Sequence, residues 1–147
     1  WKKVDILCER LPTLSLQVSL FYQDKFWNSL ALSEFPSQLL SDVCYDAAVN
    51  CGTGRAALWL RQAVNILNNQ GKLYPELEED GRFGSSTLKV ALQFQRGRSE
   101  RLSALVAAFL ILRGAFHIER MRKHPNQEQF AQSWLGRVAR QMGELPL

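Results

Sequence analysis

Cysteine and histidine are scarce in this chain, and no apolar run is long enough to span a membrane. Cys8, Cys44 and Cys51 cannot all pair with one another, and their spacing matches no zinc pattern. They read as free thiols, with Cys44 on an apolar helical stripe where cysteine behaves as a small hydrophobe. His117 and His124 have no second ligand at metal spacing. The acidic run Glu78, Glu79, Asp80 ahead of Gly81 is too short for a calcium loop and lacks its alternating oxygens. No metal and no cofactor is expected. The longest apolar stretch, Leu102 to Leu112, is broken by Ser103 and stops at Arg113. It falls short of the roughly 18 to 20 residues a bilayer requires and reads as a buried helix, so no membrane span is expected. A Gly-x-Ser-x-Gly elbow, a P-loop and a dinucleotide fingerprint are all missing, which removes the support for hydrolase, kinase or dehydrogenase readings of those types.

What remains is a chain of 147 residues, 46% hydrophobic, long enough for one compact domain that buries about two-thirds of its unfolded surface. Its net charge of +4 is uneven. Residues 1–95 hold nine Lys/Arg and ten Asp/Glu, whereas residues 96–147 hold nine and four. A basic C-terminal third suits an anionic polymer, and equally suits simple solubility. The arginines from Arg96 to Arg140 form no recognition helix with base-reading polar partners, so no nucleic-acid partner is expected.

Periodicity points to an all-α fold of about six helices. Leu40, Val43, Cys44, Ala47 and Ala48 recur at the spacing of one buried helical face, in a helix starting near Pro36 and Ser37 and stopping near Cys51 and Gly52. The next helix takes Thr53 as its N-cap, with Ala57, Leu60, Val64 and Leu67 on one core-facing stripe and Trp59, Ala63 and Ile66 beside it. Residues 68–85 form the one long connection, rich in Asn, Gly and acidic residues. Helices resume over about 86–95, 100–123 and 127–143. The strict alternation of Leu14, Leu16, Val18 and Leu20 taken alone predicts a strand. The continuation to Trp27 breaks it, and Thr13 after Pro12 predicts the cap of a helix from about Leu14 to Leu30. The expected core comprises Phe21, Leu40, Val43, Ala47, Leu60, Val64, Leu67, Phe94, Leu105 and Phe109.

Two motifs carry a family resemblance. Cys44-Tyr-Asp-Ala-Ala-Val-Asn-Cys-Gly52 resembles the Asp-x-Ala-Val-Asn-x-Gly helix-turn-helix of bacterial and phage N-acetylmuramidases of glycoside hydrolase family 108. Asp80-Gly-Arg-Phe-Gly-Ser-Ser-Thr87 resembles the Asp-Gly-x-x-Gly-x-x-Thr turn of their C-terminal peptidoglycan-binding domain. Asn69-Gln-Gly-Lys-Leu-Tyr-Pro75 and Asn126-Gln-Glu-Gln-Phe-Ala-Gln-Ser-Trp-Leu-Gly-Arg137 are similar to further family segments. Tyr22 and Trp27 resemble the family's Tyr-x-x-x-Tyr-Trp, with Phe26 in place of the second Tyr. The resemblance supports the helical reading of residues 14–30. It implies peptidoglycan glycan strands as partner, cleavage of the β-1,4 bond between N-acetylmuramic acid and N-acetylglucosamine, and action in the bacterial envelope or periplasm after export or phage-mediated release. It further implies that residues 1–34 end a muramidase catalytic domain and that residues 35–147 form the peptidoglycan-binding part.

The family carries its catalytic glutamate in a Glu-Gly-Gly segment, and this sequence has no Glu-Gly pair. The expectation is that Trp1 begins partway through the protein, with the acid upstream or on a separate catalytic chain, and no catalytic residue here. The alternative is a non-catalytic peptidoglycan-binding adaptor in secretion or phage lysis. Asp42, Asp46 and Asn50 lie at i, i+4 and i+8, where Asp46 and Asn50 either line a sugar cleft with Tyr22 and Trp27 or support the fold, Asp46 by bonding backbone at a neighbouring helix start. The candidate substrate-binding residues are therefore Tyr22, Trp27, Asp46 and Asn50. Trp59, inside an apolar helix, reads as core, and Phe83 as an inward anchor of a structural turn.

Overall fold

The computed structural model describes residues 11–35, 37–95 and 99–145. Among them there is no strand, and six α-helices follow in order: α1 (Pro12–Tyr22), α2 (Gln38–Cys51), α3 (Thr53–Ile66), α4 (Ser85–Gln95), α5 (Ser99–Lys123) and α6 (Ala131–Gly143). The chain is all-α, as its periodicity predicts.

Helix α2 starts where Ser37 accepts the Leu40 amide on its side chain, which satisfies one of the free donors of a first turn. Its stripe of Leu40, Val43, Cys44, Ala47 and Ala48 is buried, as read from spacing. Gly52 then turns the chain at φ +93°, a conformation favouring glycine, and serves as the boundary residue of both α2 and α3. Thr53 falls within the first turn of α3 and is not its cap. From α3, Ala57, Trp59, Leu60, Ala63 and Val64 enter the core, Leu67 is partly buried against it, and Ile66 points outward. Phe94 from α4 and Leu105, Val106, Phe109 and Leu110 from α5 complete the centre.

By length and mean hydropathy, residues 100–123 would also suffice to cross a bilayer. Here their apolar side supplies the middle of a helical bundle, with α3, α4 and α6 packed around it.

The segment before α2 departs from expectation. Helix α1 ends at Tyr22, and the chain continues in a wider turn (Gln23–Trp27) and two 3-10 turns (Asn28–Leu30 and Leu32–Glu34) hinged at Ala31, φ +47°. Pro12 opens α1, Leu11 precedes it without a side-chain cap, and Thr13 lies inside the first turn. Phe21 is 53% exposed and is not part of the core. The alternating Leu14, Leu16, Val18 and Leu20 explain this: residues two apart sit about 200° apart on a helix, so the apolar groups spread around it and no single face can be buried. The 3-10 turns instead contribute Leu30 and Leu32, and Phe35 follows them into the core.

The long connection between α3 and α4 is held by side chains from the end of α3 and just beyond it, acting as substitute backbone. Asn65 donates to the Leu77 carbonyl (2.8 Å) and accepts from the Leu77 amide (2.9 Å). Asn68, fully buried, does the same with Tyr74 (2.9 and 3.1 Å), and the Tyr74 hydroxyl donates to the Val64 carbonyl (2.6 Å). Arg61 then closes the turn, donating to Asp80 Oδ1, to the Glu78 carbonyl and, at 3.0 Å, to Thr87 Oγ1. Asp80 and Thr87, the first and last residues of the glycine-bearing motif, thus share one cation. Phe83, partly buried, packs on Phe35 with ring centroids 6.0 Å apart.

Gly81, at φ +72°, brings this turn against the start of α3, where an added Cβ would lie 3.0 Å from the Gly54 carbonyl oxygen. Gly81→Ala combines a left-handed backbone with a clash against main chain, and is expected to cost about 1 to 3 kcal/mol in urea unfolding. A neutral result would mean the turn moves freely off α3.

Candidate functional site

The four candidate residues separate into two places. Tyr22 and Trp27 line a groove of about 470 Å³ with Val18, Ser19, Gln23 and Tyr45. Trp27 is half-buried, its indole N–H donating to Ser33 Oγ (2.7 Å) and its ring meeting Tyr45 edge-on at 5.6 Å. Among the described residues, none that lines this groove is charged. Aromatic faces with few charges suit the C–H faces of a neutral sugar, and tyrosine hydroxyls supply polar handles.

Asn50 lines a different cleft, of about 380 Å³, between the C-terminal end of α2, the start of α3, the second half of α5, and α6 with the 3-10 turn before it (Pro125–Phe130), and Asp46, not itself a lining residue, is bonded to two of its arginines. Asp46 meets two arginines, Arg113 Nη1 on Oδ2 and Arg137 Nη1 on Oδ1, both at 2.6 Å. Asn50 donates to the Asp46 carbonyl (2.7 Å) and to Asp46 Oδ1 (3.0 Å), and lines the cleft. Asp46 thus joins α2 to α5 and α6 through ion pairs, in place of the backbone bond at a neighbouring helix start that its position on α2 suggests. Asp42 is apart from this network, accepting from Gln38 Nε2.

The cleft is basic and aromatic. Arg55, Arg113, Arg120 and Arg137 line it, and among the described residues no carboxylate does. Phe130 stacks on Trp134 (5.4 Å, 23° between planes), Trp134 lies 4.9 Å from His117, and His117 lies 5.6 Å from Phe116. Arg55 covers the outer ring, its guanidinium carbon 4.7 Å from the Phe116 centroid.

His117 is 4% exposed. Burial, then the charges of Arg113 and Arg120, hold its imidazole down at about 4, against the opposing pull of Asp46. Cys51 Sγ faces His117 Nε2 at 3.9 Å. Burial raises the Cys51 thiol despite Arg113 and Arg55, so at neutral pH the pair is a thiol beside a neutral imidazole and not an activated nucleophile. Cys44, deep in the core, is raised further by burial. Both cysteines are unpaired, and Cys8 lies outside the described residues.

The His117 shift makes stability depend on pH. The unfolded chain takes up this proton near 6.5 and the folded chain only near 4, so between those values the unfolded state holds more protons. The contribution is complete above about pH 6.5 and is lost as pH falls toward 4, on the order of 2 kcal/mol. Urea midpoints at pH 7 and pH 4.5 should therefore differ more in the wild type than in His117→Gln. Equal differences would assign the acid sensitivity to other groups.

Sequence reasoning missed Trp134, Phe130, Arg113, Arg120 and Arg137 as a group. The available signal was an arginine inside the apolar run of α5, four residues before a histidine, with a Trp and an Arg three residues apart on α6.

Comparison with curated proteins gives no match. A family model described as a predicted peptidoglycan domain matches residues 55–139, which hold α3, the clasped turn, α4, α5 and most of α6, and with them nearly all of the basic aromatic cleft. With more than half of its length inside that match, the chain belongs to this peptidoglycan-domain family.

Proposed function

We propose that this chain is the wall-binding part of an N-acetylmuramidase of glycoside hydrolase family 108, cleaving the N-acetylmuramic acid to N-acetylglucosamine bond in the bacterial envelope. The family match to a peptidoglycan domain is the observation that carries the reading. The groove of Tyr22, Trp27 and Tyr45 is assigned to the neutral glycan, which it suits by its aromatic faces and lack of charge. Asp46 and Asn50 are assigned to positioning the second cleft.

Glycosidic cleavage needs a carboxylic acid to protonate the leaving oxygen. Asp46 is committed to two arginines and, among the described residues, no acid lines either recess, so on this reading the proton donor is assigned to a Glu-Gly-Gly segment supplied in cis or on a separate chain. Helix α1 has no buried residue, and Leu16, Leu20 and Phe21 are exposed, as expected of a helix that packs against more of a catalytic domain, whereas Leu30 and Leu32 pack into the common core and give a division near residue 34 no support. The absence of an acid from both recesses among the described residues also favours a second reading, a non-catalytic adaptor.

Reducing-end release from purified peptidoglycan separates the two. The chain alone is expected to bind without turnover, and adding the upstream segment is expected to restore turnover. Binding unaccompanied by turnover even then favours the adaptor. Tyr22→Ala with Trp27→Ala should weaken association of the folded protein with glycan by about 1 to 2 kcal/mol, beyond the stability lost with the Trp27 bond to Ser33 and its packing on Tyr45. Unaltered binding by this folded variant would remove the glycan from the groove.

A further inference from the structure

Two polar atoms are buried without a hydrogen-bond partner among the described residues, Arg113 Nε and His117 Nδ1, and both belong to side chains lining the basic cleft. A guanidinium N–H left unmade in the interior is costly, and native proteins rarely tolerate it without a use. The charge count at the same place is independent of this. Asp46 answers Arg113 and Arg137, whereas Arg55 and Arg120 are held only by neutral oxygens, the Cys51 carbonyl at 3.1 Å and Gln127 Oε1 at 2.7 Å. Neither has a carboxylate within ion-pair distance among the described residues.

Resting on the peptidoglycan-binding reading, we infer that this cleft is a carboxylate-binding subsite, in which Arg55 and Arg120 meet an anionic group of the wall and the stacked Phe130 and Trp134 rings receive the apolar part beside it. Peptidoglycan is neutral along its amidated glycan. Its negative charge is carried by carboxylates, on the peptide stems or on the lactyl groups of glycan stripped of stems. Guanidinium groups match a carboxylate through two parallel N–H bonds, and flat rings match the methyl and methylene groups that flank it. The uncharged groove at Trp27 has the complementary preference. The two recesses thus divide the polymer by charge, with sugar at one and carboxylate at the other.

The test uses the 147-residue chain and its Arg55→Gln/Arg120→Gln variant, two exposed positions whose replacement should leave the melting curve unchanged. Titration calorimetry is run with the free stem tetrapeptide, with stem-free glycan bearing lactyl carboxylates, with a neutral N-acetylglucosamine oligomer and with poly(glycerol phosphate). Sedimentation with intact sacculi is run alongside. The expected result is binding of the stem peptide or the stem-free glycan, weakened about tenfold or more in the variant and declining with salt. The tighter of the two identifies the source of the carboxylate. Equal affinity of wild type and variant for both carboxylate ligands overturns the inference, and so does binding of poly(glycerol phosphate) as tight as that of either. If sacculi still sediment the wild type in those cases, peptidoglycan binding stands and only the carboxylate subsite is lost. A folded wild type that leaves sacculi untouched removes both.

Discussion

Asp46→Ala is expected to destabilise the protein by about 3 to 5 kcal/mol, a large part of the roughly 5 to 15 kcal/mol that holds a typical domain together. The reason lies in what is left behind. Arg113 is 1% exposed, and its Nη1 loses the Asp46 carboxylate while its Nε already has no partner. Gln141 Oε1, at 3.1 Å, remains as a neutral acceptor and cannot balance the charge. Arg137 is more exposed and can turn to water, so the cost falls mainly on Arg113. Asp46→Asn keeps one acceptor oxygen and should lie between Ala and wild type. Adding Arg113→Leu to Asp46→Ala should recover much of the loss, because the unpaired buried charge is then gone. Urea unfolding of the four proteins decides it: a loss under about 1 kcal/mol in Asp46→Ala would mean that the network does not hold α2 to α5 and α6.

Arg61→Ala should cost about 3 kcal/mol and loosen the connection between α3 and α4. Thr87 is fully buried and its hydroxyl loses its Arg61 donor, the Glu78 carbonyl loses another, and the aliphatic stem of Arg61 leaves a void beside the core. Thr87→Val, which removes only one acceptor while keeping shape, should cost less. Hydrogen exchange supplies the local readout. Amides of Tyr74 and Leu77, bonded to Asn68 and Asn65, should keep partial protection in Arg61→Ala, while the Arg82 amide, bonded to Asp80, loses its own. Uniform protection in the variant would show that the turn stays closed without its cation.

These two centres mark where sequence reading succeeds and where it stops. Local repetition is legible: the α2 stripe from Leu40 to Ala48 is buried as its spacing requires, and Trp59 lies in the core as its apolar neighbours imply. The Asp80 to Thr87 turn is readable as structural from its glycines. That both ends converge on Arg61 is not, because a single arginine on an apolar helix carries no period of its own. Helix α1 is helical as read against the strand period of its alternating leucines, but its end at Tyr22 and the exposure of Phe21 are not legible, since that alternation marks no single face for burial. The candidate site shows the same limit at longer range. The spacing of Asp46 and Asn50 places them on one helix, but the arginine that ties Asp46 to α6 is Arg137, 91 residues away. Tyr22 and Trp27 share a groove completed by Tyr45, while Asn50 lines, and Asp46 reaches through Arg113 and Arg137, a cleft whose aromatic and basic residues come mainly from α5 and α6.

Sedimentation of the purified 147-residue chain with insoluble peptidoglycan sacculi tests the assigned partner most directly. The folded chain should pellet with sacculi in a saturable way, and pelleting should weaken as salt rises, since four arginines line the cleft beside α5 and α6. Retention in the supernatant at every salt concentration, by protein whose circular dichroism remains helical, would contradict peptidoglycan binding by this chain.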